Sequence, residues 1–352
     1  MAFLHLRDVR IAGIAAGVPR QVRNNIEASG LNFSSDYSPE EYVKSTGVLE
    51  THVSPTLCAS DLCYHAAEKL IADLAWPKDE IQALVFVSQH PDYILPATSC
   101  LLQDRLGLSK ECYATDCGLG CSGWVYGLSE ICALMATGEI KKALLCVGDA
   151  KRRVAGWDND PLFGWAGTVT ALEYQQGAEG LRFHLGTDGS GYDAIFVPDG
   201  GARSPMSPES FKYEDIDGRQ YHRGMSRMKG MDVFSFGIST APKSVKALAE
   251  HYGFNYLDSD YFVFHQANMK MNAVIAKKLK LPEEKVPSCM YHYGNTSSAS
   301  IPLTIVTQLQ GQVQECKRFL CCGFGVGLSW GTVAFETENL VMPEVVLVDE
   351  IE

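Results

Sequence analysis

Short apolar runs of strand length alternate with longer segments of helical periodicity, and this alternation restricts the possible folds of the chain more than any other feature. Runs at 83–88, 143–148, 261–265 and 318–322 are apolar at nearly every position, as strands covered on both faces must be. Weaker runs at 168–174 and 332–336 are expected to be edge or hairpin strands. Helices are expected at 59–74, 122–137, 239–252 and 269–279. In the second of these, Trp124, Val125, Leu128, Ile131, Cys132 and Met135 form the stripe of a helix packed along one broad face. The fold class expected is α/β, built on buried sheets.

Each half of the chain follows the same order: strand, helix, a strand bearing a chemical residue, helix, and a closing pair of strands. This suggests an internal duplication, with halves at 1–176 and 177–352. The segment 177–227, rich in Gly, Asp, Ser and Pro, is expected to form surface loops. The tail beyond 336 is expected to be a peripheral extension.

With 352 residues, 46% of them hydrophobic, the chain has ample material for a large core. Its 30 basic and 42 acidic residues leave a net charge of −12, which repels phosphate backbones and anionic membrane surfaces. Nucleic-acid and membrane partners are therefore not expected. No apolar run approaches the roughly 20 residues of a membrane span, and the first residues lack the apolar core of an export signal. A cytoplasmic location is expected, and with it mostly reduced thiols among the 12 cysteines. Cys63, Cys132 and Cys146 fall inside apolar segments and are read as small buried hydrophobes.

Four short motifs carry chemistry. The first is Cys-Gly-Leu-Gly-Cys-Ser-Gly-Trp at 117–124, where Cys121 stands at a Gly-rich turn just before a helix. The positive end of a helix dipole favours thiolate over thiol, so Cys121 is a candidate nucleophile, with one more buried cysteine as the bland reading. Cys117 leaves open a redox pair with Cys121, whereas no zinc spacing completes a metal site, so no metal is expected. The second motif, His-Gln-Ala-Asn at 265–268, puts His265 at the C-terminal end of a core strand, where α/β folds place their chemistry. The third, Gly-Asn-Thr-Ser-Ser-Ala-Ser-Ile-Pro at 294–302, holds Asn295, which taken singly is more often a turn former. The fourth is Gly-Phe-Gly-Val-Gly-Leu-Ser-Trp-Gly at 323–331. It runs into a strand rather than a helix and so fails as a dinucleotide loop, but the N–H groups of such a turn can face an oxyanion.

Together these motifs resemble the thiolase superfamily, and within it the β-ketoacyl-acyl carrier protein synthase III condensing enzymes, over nearly the whole chain. The resemblance implies a duplicated, layered αβαβα fold with two mixed core sheets and a homodimer. It implies an acyltransferase in which Cys121 is acylated and His265 and Asn295 serve a malonyl thioester in a decarboxylative condensation. It further implies an oxyanion hole from the backbone N–H groups of Cys121 and Gly327, and substrate contacts from Asn268, Phe234, Gly230 and Trp165. Coenzyme A and acyl carrier protein thioesters would be the substrates, with no cofactor. Lys270, Arg227 and Lys229 would recruit the acidic carrier protein, helped by Lys151, Arg152, Arg153 and Arg223.

Two departures from the family pattern stand out. Glu41 and Ser45 occupy the positions where an aromatic and an arginine usually clamp adenine, and Trp165 replaces the aspartate of a Gly-Asp-Gly-Ala-Gly loop. Rival readings are acyl transfer from Cys121 to a hydroxyl or amine without decarboxylation, a papain-like hydrolase with the same Cys, His, Asn order, and an inactive partner subunit.

Overall fold

The computed structural model describes residues 2–31, 33, 37–150, 160–216 and 219–350. In chain order, the strands of its two main sheets are β1 (Ala2–Leu6), β2 (Val9–Pro19), β3 (Ala83–Val87), β4 (Tyr113–Cys117), β5 (Lys142–Asp149), β6 (Ala166–Tyr174), β7 (Leu181–Thr187), β8 (Tyr261–Phe264), β9 (Lys317–Gly325), β10 (Ser329–Thr337) and β11 (Val346–Val348). A six-stranded sheet has the order β11-β2-β6-β5-β3-β4, and a five-stranded sheet the order β1-β7-β10-β9-β8. Both are mixed, and they share a pattern. In each, a long antiparallel pair (β5 with β6, β9 with β10) is flanked by a parallel neighbour, β3 on β5 and β8 on β9.

The main helices are α1 (Ala59–Asp73), α2 (Gly123–Met135), α3 (Gly230–Tyr252), α4 (Met269–Leu279) and α5 (Ser300–Gln308). They complete five layers. Between the sheets, α2 and α5 bury Trp124, Leu128, Ile301 and Ile305 against Val85 and Val147 of one sheet and Phe183, Phe319 and Val333 of the other. Outside the first sheet, Leu62, Ala66 and Leu70 of α1 cover Leu84, Phe86, Leu144 and Val169. Beyond the second, Ala241 and Val245 of α3 with Met271 and Ile275 of α4 cover Phe262, Phe264 and Leu320. Successive residues of a strand thus point into different layers, which is why the core strands read as unbroken apolar runs. This is the duplicated αβαβα arrangement that the resemblance implied.

Four expectations are corrected. Of the strands read as edge or hairpin strands, β6 and β10, neither is an edge, since they lie between β2 and β5 and between β7 and β9, while β10 does form a hairpin with β9. The segment read wholly as loops contains β7. The tail beyond 336 adds β11, which pairs parallel with β2 through Val346, Leu347 and Val348. Helix α3 begins at Gly230, nine residues early, and runs through Pro242. Proline has no N–H for the carbonyl of residue 238, and Lys278 Nζ donates to that Ile238 oxygen at 3.0 Å instead.

Candidate active site

The chemistry-bearing residues stand where strands end. Cys121 follows β4 and precedes α2, His265 directly follows β8, and Asn295 lies in the turn before α5. The Cys121 turn is pinned to the second sheet by Ser122 Oγ and Ser329 Oγ, 2.7 Å apart. The end of β9 packs on the cysteine itself: a Cβ on Gly325 would lie 2.6 Å from both Cys121 Cβ and Sγ, so only glycine admits this approach.

Cys121, His265 and Asn295 all line one cavity of about 510 Å³. Phe234, Trp165, Gly230 and Asn268 line it too, which brings the four residues expected at the substrate wall to the same space. Of these, Asn268 is also the N-cap of α4, its side chain accepting from Met271 N at 2.8 Å. Trp165 is buried and stands beside Gly164, whose N–H donates to the Asn295 carbonyl at 3.2 Å. The bulk at the altered loop is therefore buried, packed with the α1 side of the first sheet as well as lining the cavity.

Hydrogen bonds settle the protonation and orientation of two of the groups. His265 is buried, and burial pushes its pKa down to about 4, against a weaker opposing hydrogen bond to the Ser297 carbonyl. The imidazole is thus neutral at ordinary pH. The Ser300 hydroxyl lies 2.7 Å from His265 Nδ1 and its oxygen also accepts from Gln266 N at 3.4 Å; when Ser300 gives its proton to Nδ1, the neutral imidazole carries its hydrogen on Nε2. Phe324 closes one side of the ring, edge to face with centroids 5.7 Å apart. The Asn295 side chain accepts at Oδ1 from Ser297 N at 2.9 Å, which commits its oxygen and leaves the NH₂ end as a donor.

The sulfur behaves differently from the sequence expectation. The Cys121 pKa is raised, not lowered: burial is the main cause and the negative Asp149 adds to it, outweighing the N–H of Val326, which donates to the sulfur. With its pKa raised above the ordinary thiol value, the resting group is a thiol. Val326 N–H acts on the sulfur and Val326 lines the cavity, whereas Gly327 does not line it. Cys117 does not line the cavity; its thiol is 3.7 Å from Glu130 Oε1 and pushed up to about 12 by burial and that carboxylate, and both it and Cys121 are free thiols.

Of the basic residues, Lys270 donates to Ser45 Oγ at 3.0 Å. Lys229 pairs with Asp193 at 2.6 Å, Arg227 with Glu214 at 3.6 Å and Arg223 with Asp199 at 2.8 Å, so these three charges are already offset within the chain. Lys151, Arg152 and Arg153 lie outside the described residues. Sequence reasoning missed Ser297, Ser300, Phe324 and Asp149 as site residues. The first three sit inside motifs already noted, and Asp149 announced itself only as a carboxylate ending an apolar strand.

Comparison with known proteins decides the family. Models of 3-oxoacyl-[acyl-carrier-protein] synthase III and of its C-terminal part match residues 115–189 and 249–337. The β-ketoacyl-[acyl-carrier-protein] synthase III of Chlamydia caviae is 33% identical over 340 residues, covering 95% of this chain and 98% of its own. That of Symbiobacterium thermophilum is 31% identical over 338 residues, 94% and 98% of the two chains. The crystal structure of a 3-oxoacyl-(acyl-carrier protein) synthase from Burkholderia xenovorans superposes with a TM-score of 0.88, at 37% identity and 99% coverage of both chains.

The chain belongs to the β-ketoacyl-[acyl-carrier-protein] synthase III family. As a synthase III it is an acyltransferase that condenses an acyl group with a malonyl thioester to give a β-ketoacyl product. Simple acyl transfer to a hydroxyl or amine is not favoured, and the Cys, His, Asn order shared with papain-like hydrolases is a coincidence on an unrelated architecture. Among the described residues of this synthase, no helix is long and apolar enough to cross a membrane.

The neutral His265 makes a testable contribution to stability. Its pKa falls from 6.5 to about 4 on folding, so between those values the unfolded chain holds more protons. The contribution is complete above pH 6.5 and is lost as pH falls toward 4, with a total of roughly 3 kcal/mol. Denaturant unfolding at pH 7 and 5 is expected to show a smaller acid loss for His265→Gln than for the unsubstituted protein. Equal losses would mean that His265 is not buried as the neutral form.

Proposed function

We propose that Cys121 carries the acyl group and that His265 and Asn295 stabilise the enolate formed from the extender. The observation that supports this most is the meeting of a thiol with a neutral imidazole and an oriented carboxamide in one cavity. In the first half-reaction the Cys121 sulfur bonds to the acyl carbon of a coenzyme A or carrier-protein thioester. The donor thiolate leaves and takes up the cysteine proton. The N–H groups of Cys121 and Val326 receive the carbonyl oxygen as its charge develops.

In the second half-reaction a malonyl thioester loses carbon dioxide, and the electron pair of the broken bond becomes an enolate. His265 Nε2–H and the Asn295 amide donate to its oxygen, and neither needs to change protonation to do so. The enolate carbon attacks the acyl group, the bond to sulfur breaks with the electron pair going to sulfur, and the resulting thiolate takes a proton from solvent water. Storing the acyl group on sulfur divides one difficult condensation into two easier steps.

The extender partner is a malonyl acyl carrier protein, recruited through the positive charge of Lys270 on the first turn of α4. The assembly is a homodimer. Tyr93, Ile94 and Leu95 are 61%, 95% and 84% exposed, a contiguous apolar segment next to Gln89 and His90 on the cavity wall, and a second copy would cover it. Steady-state kinetics with an acyl thioester and malonyl acyl carrier protein test the reading. The β-ketoacyl product and carbon dioxide are expected in equal amounts, and Lys270→Glu is expected to raise KM for the carrier about tenfold with kcat little changed. Acyl loading without carbon dioxide release would overturn the condensing role, and an unchanged KM would overturn the docking role.

A further inference from the structure

Asp149 ends β5 and is buried, yet no lysine or arginine pairs with it among the described residues. Its carboxylate is held by donors from two separate turns. From the turn after β3, Oδ1 accepts from Ser88 Oγ at 3.1 Å, Gln89 N at 2.8 Å and His90 Nδ1 at 3.1 Å. From the turn before α5, Oδ2 accepts from Ser298 Oγ at 2.9 Å and Ser298 N at 3.4 Å. Burial alone would push this carboxyl up, but the hydrogen bonds from His90, Gln89 N and Ser297 hold it below the usual range. It is therefore a fixed negative charge on the wall of the reaction cavity.

The second of these turns is the one that joins the reacting groups. Ser297 has a left-handed backbone, φ 51°, which a residue with a Cβ adopts only when its surroundings impose it. Its N–H fixes the Asn295 oxygen at 2.9 Å, and its carbonyl and hydroxyl are close enough to shift the pKa values of the His265 ring and the Cys121 thiol. Asp149 grips Ser298 directly, through both its N–H and its hydroxyl, and the Ser297 hydroxyl helps to lower the Asp149 pKa. A tie of this kind transmits small displacements to all three groups at once.

We propose that Asp149 is a positioning residue: by clamping the Ser297–Ser298 turn against the turn after β3, it sets the mutual alignment of sulfur, imidazole and carboxamide. The proposal rests on Cys121, His265 and Asn295 being the reacting groups. A second consequence follows from charge alone. The titratable groups lining the cavity with the sulfur are Arg23, His90, Asp149, Asp160, Tyr221 and the neutral His265, and of these Asp149 is the charge that acts on the sulfur. Removing the Asp149 charge makes the thiolate easier to form while the alignment for condensation is lost.

The test compares Asp149→Asn and Ser298→Ala with the unsubstituted protein in two assays, condensation kinetics and the rate of Cys121 alkylation by iodoacetamide against pH. For Asp149→Asn, kcat is expected to fall about 100-fold, as for a reacting group misplaced by an ångström, with KM for the acyl donor within twofold. Its alkylation midpoint is expected to move to lower pH, so that a more reactive thiol accompanies a slower enzyme. A loss of packing alone would not produce that pair of changes. Ser298→Ala keeps the charge and removes one donor; it is expected to lower kcat about tenfold with an unmoved alkylation midpoint, and it carries the test if Asp149→Asn does not fold. Normal kcat in both variants, or in Ser298→Ala alone if only that protein folds, would overturn the proposal. Alkylation needs no acyl substrate, so failure of the clamp is distinguishable from a wrong assignment of the reaction.

Discussion

A Cys121→Ala protein offered an acyl thioester is expected to show no acyl adduct in its intact mass spectrum, and condensation falls by roughly 10⁴- to 10⁶-fold, the scale of losing a covalent nucleophile. The other 11 cysteines do not substitute. Cys63, Cys132, Cys146, Cys289, Cys321 and Cys322 are buried in the cores, and the thiols outside them do not line the cavity. Decarboxylation of the malonyl thioester is expected to survive, because His265 and Asn295 remain and nothing in that step needs sulfur. An undiminished acyl adduct in the variant would place the nucleophile elsewhere and end the assignment.

The second large effect is expected at Asn295. Asn295→Ala is expected to load the acyl group at a near-normal rate and to condense about 100- to 1,000-fold more slowly, the loss associated with one donor in a water-poor site. Alanine also removes the acceptor that holds Ser297 N at 2.9 Å, so part of such a loss could come from the turn. Asn295→Asp separates the two effects: it keeps an oxygen for Ser297 and gives up the donor. If donation to the enolate is what matters, Asn295→Asp condenses as poorly as Asn295→Ala. If aspartate restores the rate, the residue holds a turn and does not serve the extender.

The parts of this architecture that depend on which residues are apolar were visible before any coordinates. The core strands are sandwiched between helical layers, so their burial is written into consecutive apolar positions, and α2 shows its packing face directly. What depends on neighbours was hidden. Nothing local distinguishes an edge strand from a central one, and β6 and β10 are central only because β2 and β7 arrive from elsewhere in the chain. The early start of α3 was masked by Arg227–Met228 and Gly230, which carry no N-cap signal.

At the site, the three reacting residues were legible from motif chemistry, whereas two properties of the sulfur were not. The direction of its pKa is decided by burial and by Asp149, 28 residues further along the chain. The identity of the facing N–H depends on which way one peptide plane turns. Both are facts of three-dimensional placement that residue type does not encode.

The crossing of the sheets by the chain ends has a consequence of its own. β1 lies in the five-stranded sheet with β7, and β11 lies in the six-stranded sheet beside β2, so each half is finished by a strand donated from the other. A gene split between 176 and 177 would yield two fragments with mismatched borders, each carrying a strand it cannot use and lacking one it needs. Such pieces would recover a native form by complementation, as an interlocked pair, rather than as two independent modules.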